Sequence, residues 1–193
     1  MIPPDMLEQR IQTQFFESAD LLYQVAEQLS RPVAVAAQML VDGITGGGRV
    51  LCVGQGLSAL DASYMAALLV GRFEQDRPGL AAWSLDARAH ASGSEDASLA
   101  RQVQTLGHPG DLLLVFDTQR APWAEVLAAA HGQDMSVIAL SGSQDEELRG
   151  LLRDTDVQIR VPHSRQPRVS EAQRLLAHCL CDAVDMQLLG TGE

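Results

Sequence analysis

Five short apolar runs limit what this chain can fold into: RVLCVG (49–54), LAAWSL (80–85), DLLLVFD (111–117), SVIALSG (136–142) and VQIRV (157–161). They are too short for buried helices. Their apolar character is continuous rather than alternating, as in parallel strands covered on both faces. Helical stretches near 57–73, 95–107, 121–133 and 145–153 separate them, and a final helix spans 168–189. Strand–helix alternation of this kind predicts an α/β fold with a doubly wound parallel sheet. Ligands in such sheets bind beyond the carboxyl ends of the strands. With 193 residues and no repeat, linker or low-complexity tract, one domain is expected over 1–193.

The stretch ahead of the first strand is helical. Over residues 5–30, Ile11, Phe15, Ser18, Leu22, Val25 and Leu29 recur at steps of four and three, a narrow seam of the coiled-coil kind. Such a seam packs either across a subunit boundary or within the chain, and spacing alone does not separate the two. Pro32 is expected to restart a second helix, running to about Thr45 and ended by Gly46–Gly48.

Charge narrows the partners. A formal net charge of −11 would repel a polyphosphate backbone, which argues against direct DNA or RNA binding. No run of about 18 apolar residues is present, so no membrane span is expected. The opening MIPPDMLEQRIQ lacks the basic and apolar regions of a secretory signal. Cys52, Cys179 and Cys181 are odd in number, and C-x-C fits neither a C-x-x-C redox motif nor a zinc knuckle. Three buried, reduced thiols in a cytoplasmic protein are expected.

The first strand stops at Gly54-Gln55-Gly56-Leu57-Ser58 and continues as a helix. A third glycine and a Walker lysine are both missing, so neither a dinucleotide nor a nucleotide loop is implied. A Gly-rich turn feeding a helix N-terminus still offers free N–H groups to an anion. Ser58 is expected to cap that helix or to touch the ligand.

CVGQGLSALDASYMAALLVGRFEQDRPGLAAWSL resembles the sugar isomerase (SIS) family, whose first loop reads Gly-Asn-Gly-x-Ser, and LGHPGDLLLVFDT, MSVIALSG and IRVPHSRQPRVSEAQRLLAHCLCDAVD follow in family order. Within the family the chain resembles phosphoheptose isomerases, which act on sedoheptulose 7-phosphate, and DnaA initiator-associating (DiaA) proteins. GRFEQDRPGL and AHCLCDAVD lean toward the second group. The resemblance implies a three-layer αβα sandwich with a five-stranded, flavodoxin-like parallel sheet and a long N-terminal helix. It also implies a homotetramer, in which residues 1–46 would join the subunits.

The resemblance places the phosphosugar pocket at Gly54, Gln55, Gly56, Ser58, Thr118, Gln119 and Arg120. It also exposes losses. Isomerisation moves a proton between adjacent carbons and needs a positioned base. The glutamate that serves in the isomerases aligns with Leu68, beside Ala67, and neither side chain can take a proton. Asp61 and Glu74 flank that helix off the expected position. The partner histidine matches His178, which shares a helical stripe with Glu171, Arg174, Asp182 and Asp185, so a solvated or ion-paired histidine explains it equally well.

The family's second loop, Ser-Thr-x-Gly-x-Ser, reads Asp117-Thr118-Gln119-Arg120-Ala121-Pro122 here. A carboxylate at 117 about 5 Å from a phosphate oxygen would repel it by roughly 3 kcal/mol at an effective dielectric near 20. Asp117 is expected to be a helix N-cap with Pro122 in the first turn, and Arg120 is the one replacement cation. The segment DARAHASGSEDAS is shorter than in the resembled proteins. Isomerases of the phosphoheptose type can use zinc, but His90, His108, His131 and His163 show no ligand spacing. No nucleophile arrangement is visible, and no metal or cofactor is expected.

The last helix ends in Leu188 and Leu189. Neighbouring helical residues cannot share a face, so one leucine is expected to stay accessible for a protein partner unless a subunit covers it. Two readings follow. The preferred one is a non-catalytic, DiaA-like protein that binds a DnaA-type initiator. The other is a phosphosugar-binding protein or phosphoheptose isomerase that uses Arg120 and His178 as substitutes.

Overall fold

The computed structural model describes residues 3–86 and 94–190. Its strands are β1 (Val50–Gly54), β2 (Ala82–Ser84), β3 (Leu112–Phe116), β4 (Ser136–Ser141) and β5 (Val157–Arg160). They form one parallel sheet in the order β2-β1-β3-β4-β5, as expected for a flavodoxin-like α/β fold. All five apolar runs became strands. β2 kept only three residues, because an edge strand has a single neighbour and pairs with β1 only over Val50–Cys52.

Strand side chains alternate between two cores. Val50, Cys52, Leu112, Leu114 and Phe116 face a layer made by α1 (Pro4–Thr45), α2 (Ser58–Val70) and α6 (Gln166–Leu189). Leu51, Val53, Leu113 and Val115 face α3 (Glu95–Leu106), α4 (Ala124–Gly132) and α5 (Glu146–Leu151). Helices on both faces leave the strands no wet side, which is why their sequences do not alternate.

α1 is one continuous helix, so the expected break at Pro32 does not occur. An internal proline costs about 3 kcal/mol through a lost amide and a crowded turn. Leu29, Val33, Ala36 and Leu40 on the flanking turns are all buried against the core. At about 1.5–3 kcal/mol for each large aliphatic side chain, that burial outweighs the proline. The seam divides along its length. Val25 and Leu29 are buried, Ser18 and Leu22 are half-buried, Ile11 is exposed and Phe15 is 72% exposed.

Polar contacts tie α1 to α6. Arg168 donates to the Gln14 carbonyl at 3.0 Å and pairs with Glu171, which accepts from the Ser18 hydroxyl at 2.7 Å. α2 is tied to α6 by Arg77, whose side chain is 1% exposed. Its guanidinium donates to the carbonyls of Leu69 (2.8 Å) and Leu68 (3.0 Å) and pairs with Asp185. It therefore caps the α2 C-terminus and anchors it at once.

Candidate functional site

The chain winds from β1 outward to β2 and then crosses back to β3. Gly54 lies opposite Phe116, so the loops after β1 and β3 start side by side at this switch point. At Gly54 an added Cβ would sit 2.3 Å from the Ser58 carbonyl oxygen, so the turn closes only on glycine. Gly56 takes φ +57° and lies under the Gln119 side chain. Gln55 is buried and donates to the Pro122 carbonyl.

Ser58 does not cap α2. It is the first helical residue, and the N-cap position falls on Leu57 with no side-chain bond. The turn is already wound tightly there: the amides of Ser58 and Leu60 donate to the carbonyls of Gln55 and Leu57 at 3.2 and 3.1 Å. Backbone carbonyls thus serve the N–H groups a cap would have served. Ser58 Oγ instead meets Thr118 Oγ1 at 2.9 Å and joins the two loops.

Asp117 also departs from expectation. α4 begins only at Ala124 with Trp123 at its N-cap, so Asp117 caps no helix and Pro122 precedes the first turn. Its Oδ1 accepts from the amides of Gln119 (3.1 Å) and Ala121 (3.2 Å). The free N–H groups of α4 are served from across the sheet face: Glu125 and Val126 donate to the Asp96 carboxylate at 3.1 and 3.0 Å. The neighbouring Glu95 accepts from the Gly56 amide at 3.0 Å.

Amides of both loops, Gly56 in the first and Gln119 and Ala121 in the second, are therefore occupied by the chain's own carboxylates, where an external anion would have to bind. Glu95 and Asp96 were missed in the sequence because acidic residues in a first turn are ordinary helix-dipole partners, and nothing local shows which loop they reach. The DARAHASGSEDAS segment lies largely outside the described residues, as does His90.

Arg120 takes φ 55°. It stands where the resembled motif has glycine and keeps a glycine backbone, at a cost of about 1–2 kcal/mol. Arg120→Gly is expected to stabilise the chain by about 0.5–1 kcal/mol after glycine's own entropy cost, read as a shift in the urea midpoint at unchanged slope. The Arg120 side chain is exposed and borders a cleft of about 300 Å³ with Thr118, Gln119, Ser143 and Gln166.

His178 is neither ion-paired along its stripe nor free in solvent. Its Nε2 lies 2.8 Å from the Tyr64 hydroxyl, and its ring packs 5.4 Å from Phe73. Three of the stripe's four charges are committed elsewhere: Glu171 to Arg168, Arg174 to Asp61 at 2.6 Å, and Asp185 to Arg77. Arg174 also covers the Tyr64 ring at 4.1 Å. Leu68 is half-buried against the core, Ala67 is exposed, and Glu74 lies at the surface.

These residues do not fit a zinc ion. His178 is satisfied by a phenol, Leu68 offers no donor, and among the described residues no group of three His, Cys, Asp or Glu could hold a metal. His131 pairs with Asp156 at 2.8 Å, His108 meets the Leu106 carbonyl, and His163 accepts from the Arg165 amide.

The three thiols are free. Cys52 and Cys181 are buried, and burial raises Cys52 and pushes Cys181 up to about 12, which keeps both unreactive. Cys179 lies at the surface, contrary to expectation, because its helical position faces away from the core that Cys181 enters. At the chain's end Leu188 packs partly on the core and Leu189 stays 43% exposed, the split that adjacency required.

The sequence profile of the SIS domain matches residues 14–142. The chain belongs to the SIS domain family. It is 51% identical over 193 residues to the phosphoheptose isomerase of Methylibium petroleiphilum, covering 96% of each chain. It is 38% identical over 187 residues to the DnaA initiator-associating protein DiaA of Klebsiella pneumoniae, covering 93% of this chain and 95% of that one. Among solved structures it is similar to phosphoheptose isomerase GmhA from Neisseria gonorrhoeae, with a TM-score of 0.83 and 32% identity over 93% of this chain and 98% of that one. Relatives of both names thus match nearly the whole of this chain, and family membership does not choose between their roles.

Proposed function

We propose that this chain is a non-catalytic SIS-domain protein of the DiaA kind, which binds a DnaA-type initiator protein and carries a degenerate phosphosugar pocket. The observation that carries the reading is the occupation of the loop amides by Glu95 and Asp117, at a site where Leu68 stands in the base position. The 38% identity to a DiaA protein supports it. Residues 1–193 act as one domain, with residues 1–46 in the oligomer contact. Exposed Met6, Ile11, Phe15 and Phe16, and an apolar cleft of about 350 Å³ between α1 and α6, support self-association, which the resemblance makes a homotetramer. Leu189, with Leu188 behind it, is the partner-facing point, and repetition in a tetramer would multiply a weak contact. DNA contact runs through the partner, since this chain is acidic. The protein works in the cytoplasm, where its free thiols stay reduced; among the described residues no helix is long and apolar enough to cross a membrane.

The 51% identity to a phosphoheptose isomerase favours a second reading, a phosphosugar-binding protein or isomerase. Titration calorimetry with sedoheptulose 7-phosphate beside a turnover assay separates them. The expected result is no turnover and no heat at millimolar ligand, together with capture of the DnaA-type initiator that Leu189→Ala weakens. Turnover would overturn the proposal, and heat without turnover would make the chain a phosphosugar-responsive binder.

A further inference from the structure

Beneath the second loop, two buried carboxyl groups each have one oxygen in use and one idle. Asp117 directly follows β3, and Asp145 stands ahead of α5 after β4, the neighbouring strand. Both are 2% exposed. Asp117 Oδ1 holds the loop amides of Gln119 and Ala121, and Asp145 Oδ1 accepts from the Leu148 amide at 3.1 Å. Oδ2 of each is buried without a hydrogen-bond partner, and the Asp117 side chain acts on Asp145 from the end of the neighbouring strand.

Among the described residues no cation pairs with either carboxylate. Arg160 of β5 pairs with Glu146 and donates to the Ser143 carbonyl, and Arg168 of α6 pairs with Glu171 and Gln14, each keeping a buried Nε without a partner. Arg120 is exposed on the loop, and His163 turns its Nδ1 to the Arg165 amide. From α6 the uncharged Gln173 donates to the Asp117 carbonyl at 2.8 Å. Glu147 of α5 adds a further negative charge. Two bare carboxylates here would repel each other and leave buried charge unmatched, whereas one proton between them supplies an O–H donor for one idle oxygen and an acceptor role for the other.

We propose that Asp117 and Asp145 form a buried proton-binding site holding one shared proton, carried on Asp145, and that this proton latches the second loop. Burial first, and then the Asp117 side chain, push Asp145 up to about 7, against the pull of the Leu148 amide. The sign follows. The native state keeps a proton that the unfolded chain releases near the ordinary aspartate value of 3.8, so stability declines as pH rises from there to about 7. Above that Asp145 is charged, and its repulsion of the Asp117 side chain works against the hold on Gln119 and Ala121.

Carbon-13 carboxyl titration of the native protein, assigned at Asp145, is the test, with amide exchange at Gln119 and Ala121 as the second readout. A midpoint above about pH 6 supports the shared proton, and one below about 6 overturns it. Protection of the two amides, corrected for intrinsic exchange, is expected to fall at least about tenfold between pH 6 and 8.5. Asp145→Asn keeps the Leu148 acceptor and supplies an N–H toward Asp117, so that fall should vanish. An equal fall in Asp145→Asn, or none in the wild type, would overturn the latch.

Discussion

Arg77→Ala is expected to destabilise the fold by about 3–5 kcal/mol, the penalty for stranding a buried charge. The guanidinium and the Asp185 carboxylate are both nearly inaccessible, and Asp185 Oδ2 has no other partner. Removing Arg77 would leave Asp185 charged in the interior and the Leu68 and Leu69 carbonyls without their donor. Urea unfolding would read the loss as a lower midpoint at unchanged slope. Replacing the pair together, as Arg77→Met with Asp185→Leu, should recover most of it, because the cost lies in the unmatched charge. A loss under about 1 kcal/mol for the single variant would show that the pair contributes little to holding α2 on α6.

Glu95→Ala with Asp117→Ser is expected to raise affinity for sedoheptulose 7-phosphate about 100-fold at pH 7.5, without turnover. One carboxylate about 5 Å from a phosphate oxygen costs roughly 3 kcal/mol at an effective dielectric near 20, which is about two decades in affinity. The double variant frees the amides of Gly56, Gln119 and Ala121 and restores the serine of the resembled motif. Turnover should stay absent because Leu68 still cannot accept a proton. Calorimetry that shows no gain would mean that something other than these carboxylates closes the pocket.

The layers of the fold were legible because each rests on short-range pattern. Continuous apolar runs marked the strands, and Gly54 and Gly46 marked where elements stop. Pro32 misled because its local cost is fixed, whereas the burial that overrides it depends on α6, more than a hundred residues away. Ser58 and Asp117 looked like helix caps for a similar reason. A cap signature records which residue can accept an amide, but the strand order decides which amide arrives. Glu95 and Asp96 show this most clearly, since they serve loops that the sheet brings from β1 and β3. At the position where the resemblance puts the base, the residue type is read directly: Leu68 is a hydrocarbon side chain, and no packing can make it a proton acceptor.

The polar clasp between α1 and α6 sets an order of events in synthesis. Arg168 and Gln14 are 154 positions apart, so α1 is completed only once α6 has been made. Until then α1 lacks the α6 cover for Val25, Leu29 and Val33, and α1 and α2 alone cover that side of the sheet. Contacts this distant in sequence slow folding and prolong the exposure of apolar surface. Loss of either helix would therefore uncover the other, and α1 and α6 together close this side of the domain.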